Sequence, residues 1–248
     1  MMIYHGGGGH STYHLGRYFA RREKNNFFEK SALFWLKLLF HFGSWEGIKN
    51  FRARWCAYFS RAPFPEIQAD SREGRRLMQS IKLGLNYGYA FRVALLKRIN
   101  DALPASAGRA TFLWDASHNS IAEETISGKK IIVHREDAAR VFPDKPVMIT
   151  GLSNTLSFIG IGGRGGEKTL WSTTPSATKI IEKYISEGKS RKENPPRETL
   201  VSKRKNPEFI RKEHMTSEGL FDVVHEFEKE GIIKPVAYLR PLGSIKGH

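Results

Sequence analysis

Two segments of the chain carry side chains that can bind a metal ion or a phosphate group. In the middle of the chain, His118 and Asn119 are followed by Glu124, which brings an imidazole, an amide and a carboxylate into close succession. At the start, His5 and His10 enclose four glycines. Imidazole and carboxylate groups bind divalent metal ions, and glycine lets the backbone approach a phosphate closely. We therefore predict a metal and hydrogen-bonding corner at His118. A structural histidine there, and a flexible tail at the N-terminus, are the alternatives.

The hydrophobic pattern predicts helices and short strands that would position these side chains. We expect helices at 31–42, 45–60, 70–103, 176–187 and 217–230, and strands at 110–116, 130–134, 146–150, 156–162 and 235–241. Asp70 or Ser71 is the expected N-cap of the third helix, and Thr216 is that of the fifth. Because strands and helices do not alternate regularly, the predicted fold class is α+β.

The net charge of +15, from 40 Lys and Arg against 25 Asp and Glu, indicates a polyanionic partner. Nucleic acid is the commonest such partner, so nucleic acid or a ribonucleoprotein assembly is expected. A basic protein without a nucleic-acid role, or one with an acidic protein partner, is the alternative. The charge is concentrated in residues 1–62, where aromatic residues are interleaved, and in 189–212, which we interpret as an exposed basic loop.

The remaining composition excludes several classes of protein. A single cysteine, Cys56, rules out an internal disulfide and a multi-cysteine zinc site, and it fits a reducing compartment. No apolar run is long enough to span a membrane, and the first twenty residues lack the layout of a secretory signal. We expect a cytoplasmic protein without a membrane partner, although an organelle remains an open alternative.

Several segments form an ordered series of motifs. In chain order, they are 3–9 with 15–19 (similar to H-S-G-S-R-G), 70–74 with 86–92 (D-S-x-E-G, N-Y-A and a-N-R), 117–124 (H-N-x-x-x-x-E), 134–138 (R-K-G-A), 150–158 (P-G-S-M-G-T-x-S-Y) and 239–247 (L-x-P-x-G-V-x-K-G). In this order they resemble the RtcB family of RNA ligases, specifically the C-terminal portion of that fold. We therefore treat residues 1–248 as a single RtcB-like C-terminal region whose fold is truncated at the N-terminus.

The resemblance implies a mechanism and a set of roles. The family joins RNA 2′,3′-cyclic phosphate or 3′-phosphate ends to 5′-hydroxyl ends, as in RNA repair and tRNA splicing, with GTP and Mn²⁺ as cofactors. By position, His5 and His118 would be manganese ligands. Asn119, Ser157 and Lys246 would contact the guanylate or its phosphate, a role that suits the ammonium group of lysine.

Departures from the family motifs affect the catalytic centre. Residues 172–179 align with S-T-C-H-G-A-G-R, so Pro175 stands where the family has the histidine that forms the guanylate, and no catalytic residue is assigned. Glu136 and Asp137 replace a lysine and a glycine, and Glu198 replaces a tyrosine that contacts the base. The upstream metal ligands of the family have no counterpart in these motifs.

Two interpretations follow for the activity. The chain is an RtcB-type ligase-like protein that needs a missing N-terminal lobe from a second polypeptide, or is catalytically degenerate. Alternatively, it is a non-catalytic RNA-binding protein or ribonucleoprotein scaffold derived from this fold. A basic structural protein unrelated to RNA ends is a third possibility.

Overall fold

The computed structural model describes residues 1–7, 31, 35, 67–203 and 206–246. The chain divides between Phe112 and Leu113 into two compact units, which are described separately. The sequence analysis treated the chain as one region. Most of the predicted helices at 31–42 and 45–60 lies outside the described residues; Ser31 and Trp35, which are described, are both helical.

The first unit contains a long helix, α1 (Arg72–Ala102), as the sequence predicted. Ser71 is its N-cap, and the hydroxyl oxygen of Ser71 accepts a hydrogen bond from the Gly74 amide. This bond satisfies one of the amides that a helix N-terminus leaves without an intrahelical partner. A short 3₁₀ helix follows at Ala105–Ala107. Residues 110–116 are irregular, so the strand predicted there is wrong.

The described residues of the second unit form ten short strands, two helices and a 3₁₀ helix. The strands are β1 (Ser120–Ile126), β2 (Lys129–Arg135), β3 (Ala139–Arg140), β4 (Pro146–Ile149), β5 (Ser157–Gly162), β6 (Ser172–Thr173), β7 (Glu198–Lys203), β8 (Asn206–Glu213), β9 (Ile233–Leu239) and β10 (Gly243–Lys246). The helices are α2 (Thr178–Ser186) and α3 (Glu218–Lys229), and the 3₁₀ helix spans Arg164–Thr169.

These strands form four small sheets. β1 and β2 are an antiparallel hairpin, and β3 pairs with β6. The other sheets have the orders β4-β5-β9, in which all pairs are antiparallel, and β10-β7-β8, in which β10 runs parallel to β7. Helices and strands do not alternate regularly, and the α+β class predicted from the sequence is confirmed.

The core of the second unit lies between the β4-β5-β9 sheet and the helices α2 and α3. Its largest fully buried apolar side chains are Phe158 and Ile149 from the sheet, Ile181 from α2 and Leu220 from α3. Burying such side chains is the main stabilising contribution to a domain of this size. Strand β5 is central in this sheet: Phe158 to Ile161 pair with both β4 and β9, and Ser157 at its start pairs with Leu239 of β9.

Two local predictions differ from the structure in this unit. The segment 189–212 was interpreted as an exposed loop, whereas β7 and β8 form an antiparallel hairpin within it. Thr199 and Val201 of β7 are buried and alternate with the exposed Glu198 and Leu200, a strand pattern hidden by the high charge of the segment, and Ser202 after them is buried as well. The N-cap of α3 is Ser217, not Thr216, and its hydroxyl accepts a hydrogen bond from the Leu156 amide.

Candidate functional site

The predicted metal and hydrogen-bonding corner lies just before β1, not at the exit of a strand. His118 Nδ1 is 3.6 Å from Asp137 Oδ1, and the His118 carbonyl accepts a hydrogen bond from the Ala138 amide. Asn119 Oδ1 accepts a hydrogen bond from the Asp137 amide at 2.9 Å. The irregular segment before β1 and the one after β2 are therefore joined, because the two strands are an antiparallel hairpin that brings its ends together.

Asp137 is the centre of this exposed cluster, which consists of His118, Asn119, Asp137 and Lys179. Asp137 has a φ of +49°, in the left-handed region, which asparagine and aspartate tolerate better than most residues with a side chain. Its second carboxylate oxygen is 4.0 Å from Lys179 Nζ. The Asp137 side chain is 69% exposed and that of Lys179 is 91% exposed, so water screens this pair strongly. The arrangement places a negative charge among groups that would otherwise attract an anion.

A buried charged cluster joins β1 and β2 of the same hairpin to β3. Glu124 Oε1 is 2.5 Å from Arg135 Nη1 and 3.1 Å from Arg140 Nε. The side chains of Glu124 and Arg135 are 2% and 1% exposed. Arg135 also donates hydrogen bonds to the Ser172 hydroxyl and the Leu170 carbonyl, at 2.9 and 2.7 Å. Glu124 is thus a structural ion-pair partner, although its spacing from His118 had placed it in the predicted metal corner.

Ser157, a predicted guanylate contact, is the first residue of β5. Its hydroxyl accepts a hydrogen bond from the Gly151 amide at 3.0 Å and thereby closes the loop that follows β4. The Thr155 hydroxyl accepts a second bond within the loop, from the Leu152 amide at 2.7 Å. A side chain on Gly151 would place its Cβ 2.0 Å from the Leu156 carbonyl oxygen, so this turn requires glycine. The loop therefore has a single well-defined conformation around Ser157.

Pro175, at the position aligned with the family histidine, lies beside this loop. Its carbonyl accepts hydrogen bonds from the Thr150 amide at 3.0 Å and the Thr150 hydroxyl at 3.2 Å. The Ser176 hydroxyl is 3.2 Å from the Thr150 carbonyl and 3.0 Å from the Thr178 hydroxyl. Ser176 and Thr178 align with two glycines of the family motif, and their hydroxyls form hydrogen bonds within this segment and to Thr150. Proline supplies no nitrogen that could attack a nucleotide phosphate.

Lys246 is the last residue of β10, and in the parallel register it lies opposite Lys203 of β7. Asn119, Ser157 and Lys246 therefore belong to three different parts of the second unit: the β1–β2 hairpin, the β4-β5-β9 sheet and the β10-β7-β8 sheet. Their roles in contacting a nucleotide stay predictions.

His5 lies in the first unit, and its segment is not a strand. Residues 1–7 are irregular, and they pack on α1: the Tyr4 hydroxyl donates to the Arg92 carbonyl, and Arg92 donates to the Gly6 carbonyl, both at 3.0 Å. Gly6 also faces the Phe91 ring. Two of the motifs that carry the family resemblance are thus in contact. His5 is exposed, and His10 lies outside the described residues.

The residues assigned as manganese ligands belong to different units, His5 to the first and His118 to the second. Within the described part of the chain, no group of three or more His, Cys, Asp or Glu side chains is arranged to hold a metal ion. Two ligands are too few for a tight site. The described residues therefore do not fit the manganese site that the resemblance implies, and no step of the chemistry is derived through a metal or GTP.

Sequence reasoning missed a half-buried cluster of Glu193, His214 and Arg240. One Arg240 guanidinium nitrogen contacts the Glu193 carboxylate and is 3.2 Å from His214 Nδ1. Burial lowers the pKa of His214; the cations of Arg240 and Arg197 lower it further, and Glu193 and the Pro241 carbonyl act in the opposite direction. The three residues lie in separate segments of the sequence, so no motif links them. The one sequence feature that could have indicated the cluster was a histidine at the end of a strand.

Comparison of the sequence with known proteins identifies the family. A family model described as tRNA-splicing ligase RtcB matches residues 48–247, on both sides of the boundary between the units. The chain therefore belongs to the RtcB family.

Curated relatives extend this assignment. The chain is 27% identical over 225 residues to a tRNA-splicing ligase RtcB of Pyrococcus abyssi, an alignment that covers 75% of this chain and 24% of the relative. It is 27% identical over 210 residues to a protein of the same name from Archaeoglobus fulgidus, covering 72% and 43%. An RNA-splicing ligase RtcB of Mycobacterium bovis is 24% identical over 204 residues, covering 73% and 47%. The matched region thus spans between a quarter and a half of these relatives.

None of the helices in the described ranges has the length and apolar character that crossing a bilayer requires.

Proposed function

We propose that this chain is an RtcB-type, RNA ligase-like protein that binds RNA without forming the covalent guanylate itself. The observation that carries the proposal is Pro175, whose carbonyl is bonded to Thr150 at the position of the family nucleophile. A guanylate adduct on a histidine needs a ring nitrogen, and proline has none at its side chain. Ligation by this chain alone would then require a nucleophile from elsewhere.

The charge of the chain supports RNA as its partner. The net charge is +15, and the segment 189–212 carries many of the cations. In and just before the β7–β8 hairpin, Arg191, Arg197 and Lys212 are exposed. Such cations favour RNA binding because their contact with phosphates releases the counterions of the RNA. Asp137 weakens the attraction locally, since its carboxylate faces His118 and Lys179. We infer that RNA contacts are made mainly away from the exposed cluster.

A second candidate is a ligase component that is completed by another polypeptide. Five side chains at motif positions favour this candidate, because a scaffold would not need metal-binding and phosphate-binding groups at these positions. They are His5, His118, Asn119, Ser157 and Lys246. The missing ligands and nucleophile would then come from the partner. The two candidates differ in one outcome: only the second produces joined RNA when the chain is mixed with a second polypeptide, inactive alone, that supplies both the metal ligands and the nucleophilic histidine.

The covalent step is tested with labelled GTP and Mn²⁺. We expect no acid-labile guanylate on this chain, while a full-length archaeal relative serves as the positive control. Any adduct mapped to a residue of this chain would overturn the proposed alignment at Pro175.

RNA binding is tested by titrating a labelled single-stranded RNA at several salt concentrations. Six phosphate contacts predict a log–log slope of roughly −4, and a flat response would contradict the proposal. A variant with Arg191, Arg197 and Lys212 changed to Gln should bind more weakly. The control changes Lys129, Lys145 and Lys234 to Gln, which removes the same charge from other exposed positions. Equal losses in the two variants would contradict a role for the hairpin.

A further inference from the structure

We propose that Arg240 is a positioning residue that fixes the strand carrying Lys246 relative to the strand carrying Ser157. The inference concerns Arg240, Glu193 and His214, here called the anchor cluster. The contact of Lys246 with a phosphate rests on the proposed function. The role of Arg240 in holding the strand of Lys246 does not rest on it.

The topology places the anchor cluster at one end of the β10-β7-β8 sheet. Glu193 precedes β7, His214 directly follows β8, and Arg240 precedes β10. Strands β7 and β8 are antiparallel, and β10 is parallel to β7. The start of β7, the end of β8 and the start of β10 therefore lie at the same end of the sheet. One guanidinium group thus joins the entry or exit of all three strands.

Arg240 also connects two sheets. The residue before it, Leu239, pairs with Ser157 in the β4-β5-β9 sheet. Three residues after it, Gly243 begins β10, which ends at Lys246. The position of Lys246 relative to Ser157 is therefore transmitted through the short connection at Arg240.

Strand β10 buries little apolar surface in its described residues. It is a four-residue edge strand in which Ile245 is 82% exposed, and Leu242 just before it is 83% exposed. Backbone bonds join this segment to β7, beginning with the Leu200 amide donating to the Leu242 carbonyl at 3.2 Å. An edge strand without apolar burial depends on such local anchors.

The anchor cluster is partly protected from water. His214 is 2% exposed, and the side chains of Glu193 and Arg240 are 16% and 32% exposed. The arginine side chain has no hydrogen-bond acceptor. Because an Arg240 nitrogen lies close to His214 Nδ1, the Nδ1 atom of His214 must be unprotonated to accept its hydrogen bond. The His214 carbonyl accepts a hydrogen bond from the Glu193 amide at 2.9 Å. This backbone bond holds Glu193 and His214 together independently of the Arg240 side chain.

Hydrogen exchange measured by mass spectrometry tests the positioning role without any ligand. In Arg240→Gln, we expect exchange in the peptide containing β10 to accelerate at least tenfold, with β4 and β5 within twofold of the unmodified chain. Arg240→Lys should show a smaller acceleration, because lysine keeps the charge but loses the planar fork of donors. The control Lys168→Gln, which removes an exposed ion pair with Glu230, should leave β10 unchanged. Unchanged β10 exchange in Arg240→Gln, or equal acceleration throughout the unit, would overturn the proposal.

A binding cycle then tests the link to Lys246, with a labelled RNA oligonucleotide bearing a 3′-phosphate. We expect Lys246→Ala to weaken binding at least fivefold in the unmodified chain and less than twofold in the Arg240→Gln background. An undiminished effect of Lys246→Ala in that background would overturn positioning by Arg240. If Lys246→Ala has no effect in the unmodified chain, the predicted phosphate role of Lys246 fails. Hydrogen exchange alone then decides the role of Arg240.

Discussion

The two charged clusters at the β1–β2 hairpin differ in almost every physical respect, although Arg135 and Asp137 are two residues apart. The cluster of Glu124, Arg135 and Arg140 has its central pair buried and joins the hairpin to the segment around Ser172. The exposed cluster centred on Asp137 is screened by water and contacts residues at motif positions.

This difference shows how a family fold can keep its frame while its site chemistry changes. Removing one member of a buried ion pair leaves an uncompensated charge, so Glu124 and Arg135 constrain each other. An exposed carboxylate at Asp137 costs the fold little, because water solvates it in any case. Substitution at the exposed cluster is therefore tolerated where substitution in the buried cluster is not.

The largest expected effect comes from breaking the buried cluster with Glu124→Gln. The change leaves two guanidinium groups without their shared carboxylate, and we expect a loss of about 3–5 kcal/mol in the free energy of unfolding. Urea denaturation followed by circular dichroism measures it. A loss below about 1 kcal/mol would place this pair with exposed ion pairs and remove the contrast.

Arg140→Gln should have an intermediate effect. Arg140 shares the Glu124 carboxylate, but its side chain is 39% exposed and its guanidinium also lies 4.3 Å from the centre of the Phe142 ring. We expect a loss of about 1–2 kcal/mol, between the values for exposed and buried pairs. Arg140→Lys serves as the control that keeps the charge. Equal losses for Arg140→Gln and Glu124→Gln would show that burial does not set the order.

The pH dependence of stability tests the anchor cluster, whose burial lies between the other two. The pKa of His214 in the folded protein lies below its ordinary value of 6.5, so the unfolded chain binds its proton more readily. The contribution of His214 is therefore complete above pH 6.5 and is lost as the pH falls from 6.5 towards the lowered pKa.

The measurement is a series of thermal unfolding experiments from pH 7.5 to 5. We expect His214→Gln to flatten the decline in this window relative to the unmodified chain. The control His134→Gln, at an exposed position of β2, should keep the decline. A decline that is the same in both variants would assign the pH dependence to other groups.

The smallest expected effect on stability is that of Asp137→Asn. The side chain is exposed and its nearest cation is 4.0 Å away, so the change should alter the free energy of unfolding by less than about 1 kcal/mol. Asparagine also tolerates the positive φ of this position. Binding of single-stranded RNA should strengthen slightly, because a negative charge is removed. A large loss of stability would give Asp137 a structural role and erase the contrast with Glu124.

Periodicity predicted the elements with strong local signals. Helix α1 was expected from its cap and apolar spacing, and β2, β4, β5, α2, α3 and β9 lie within a few residues of their predicted ranges. The two-residue strands β3 and β6 are too short to show a period, and each is defined only by pairing with the other. Charge concealed the β7–β8 hairpin, since Thr199 and Val201 are buried by tertiary packing that composition does not reveal.

The candidate site was predictable in its residue types but not in its contacts. Motif order alone identified the family, and it placed Pro175 and Asp137 at positions where the family has other residues. It did not separate Glu124 from His118, because the two arginines that bind Glu124 come from β2 and β3. Nor did it find the anchor cluster, whose three members are up to 47 residues apart along the chain.

The sequence by itself determined the family and the basic character of the chain, and it predicted a proline at the nucleophile position, because these properties reside in residue identity and order. Only the tertiary structure decided which charged groups are paired and buried. The cost of a charge depends on its distance from water and from its partners, and those distances exist only once the strands have paired. That is why Glu124 and Asp137, both carboxylates in motif segments, have opposite roles in the folded protein.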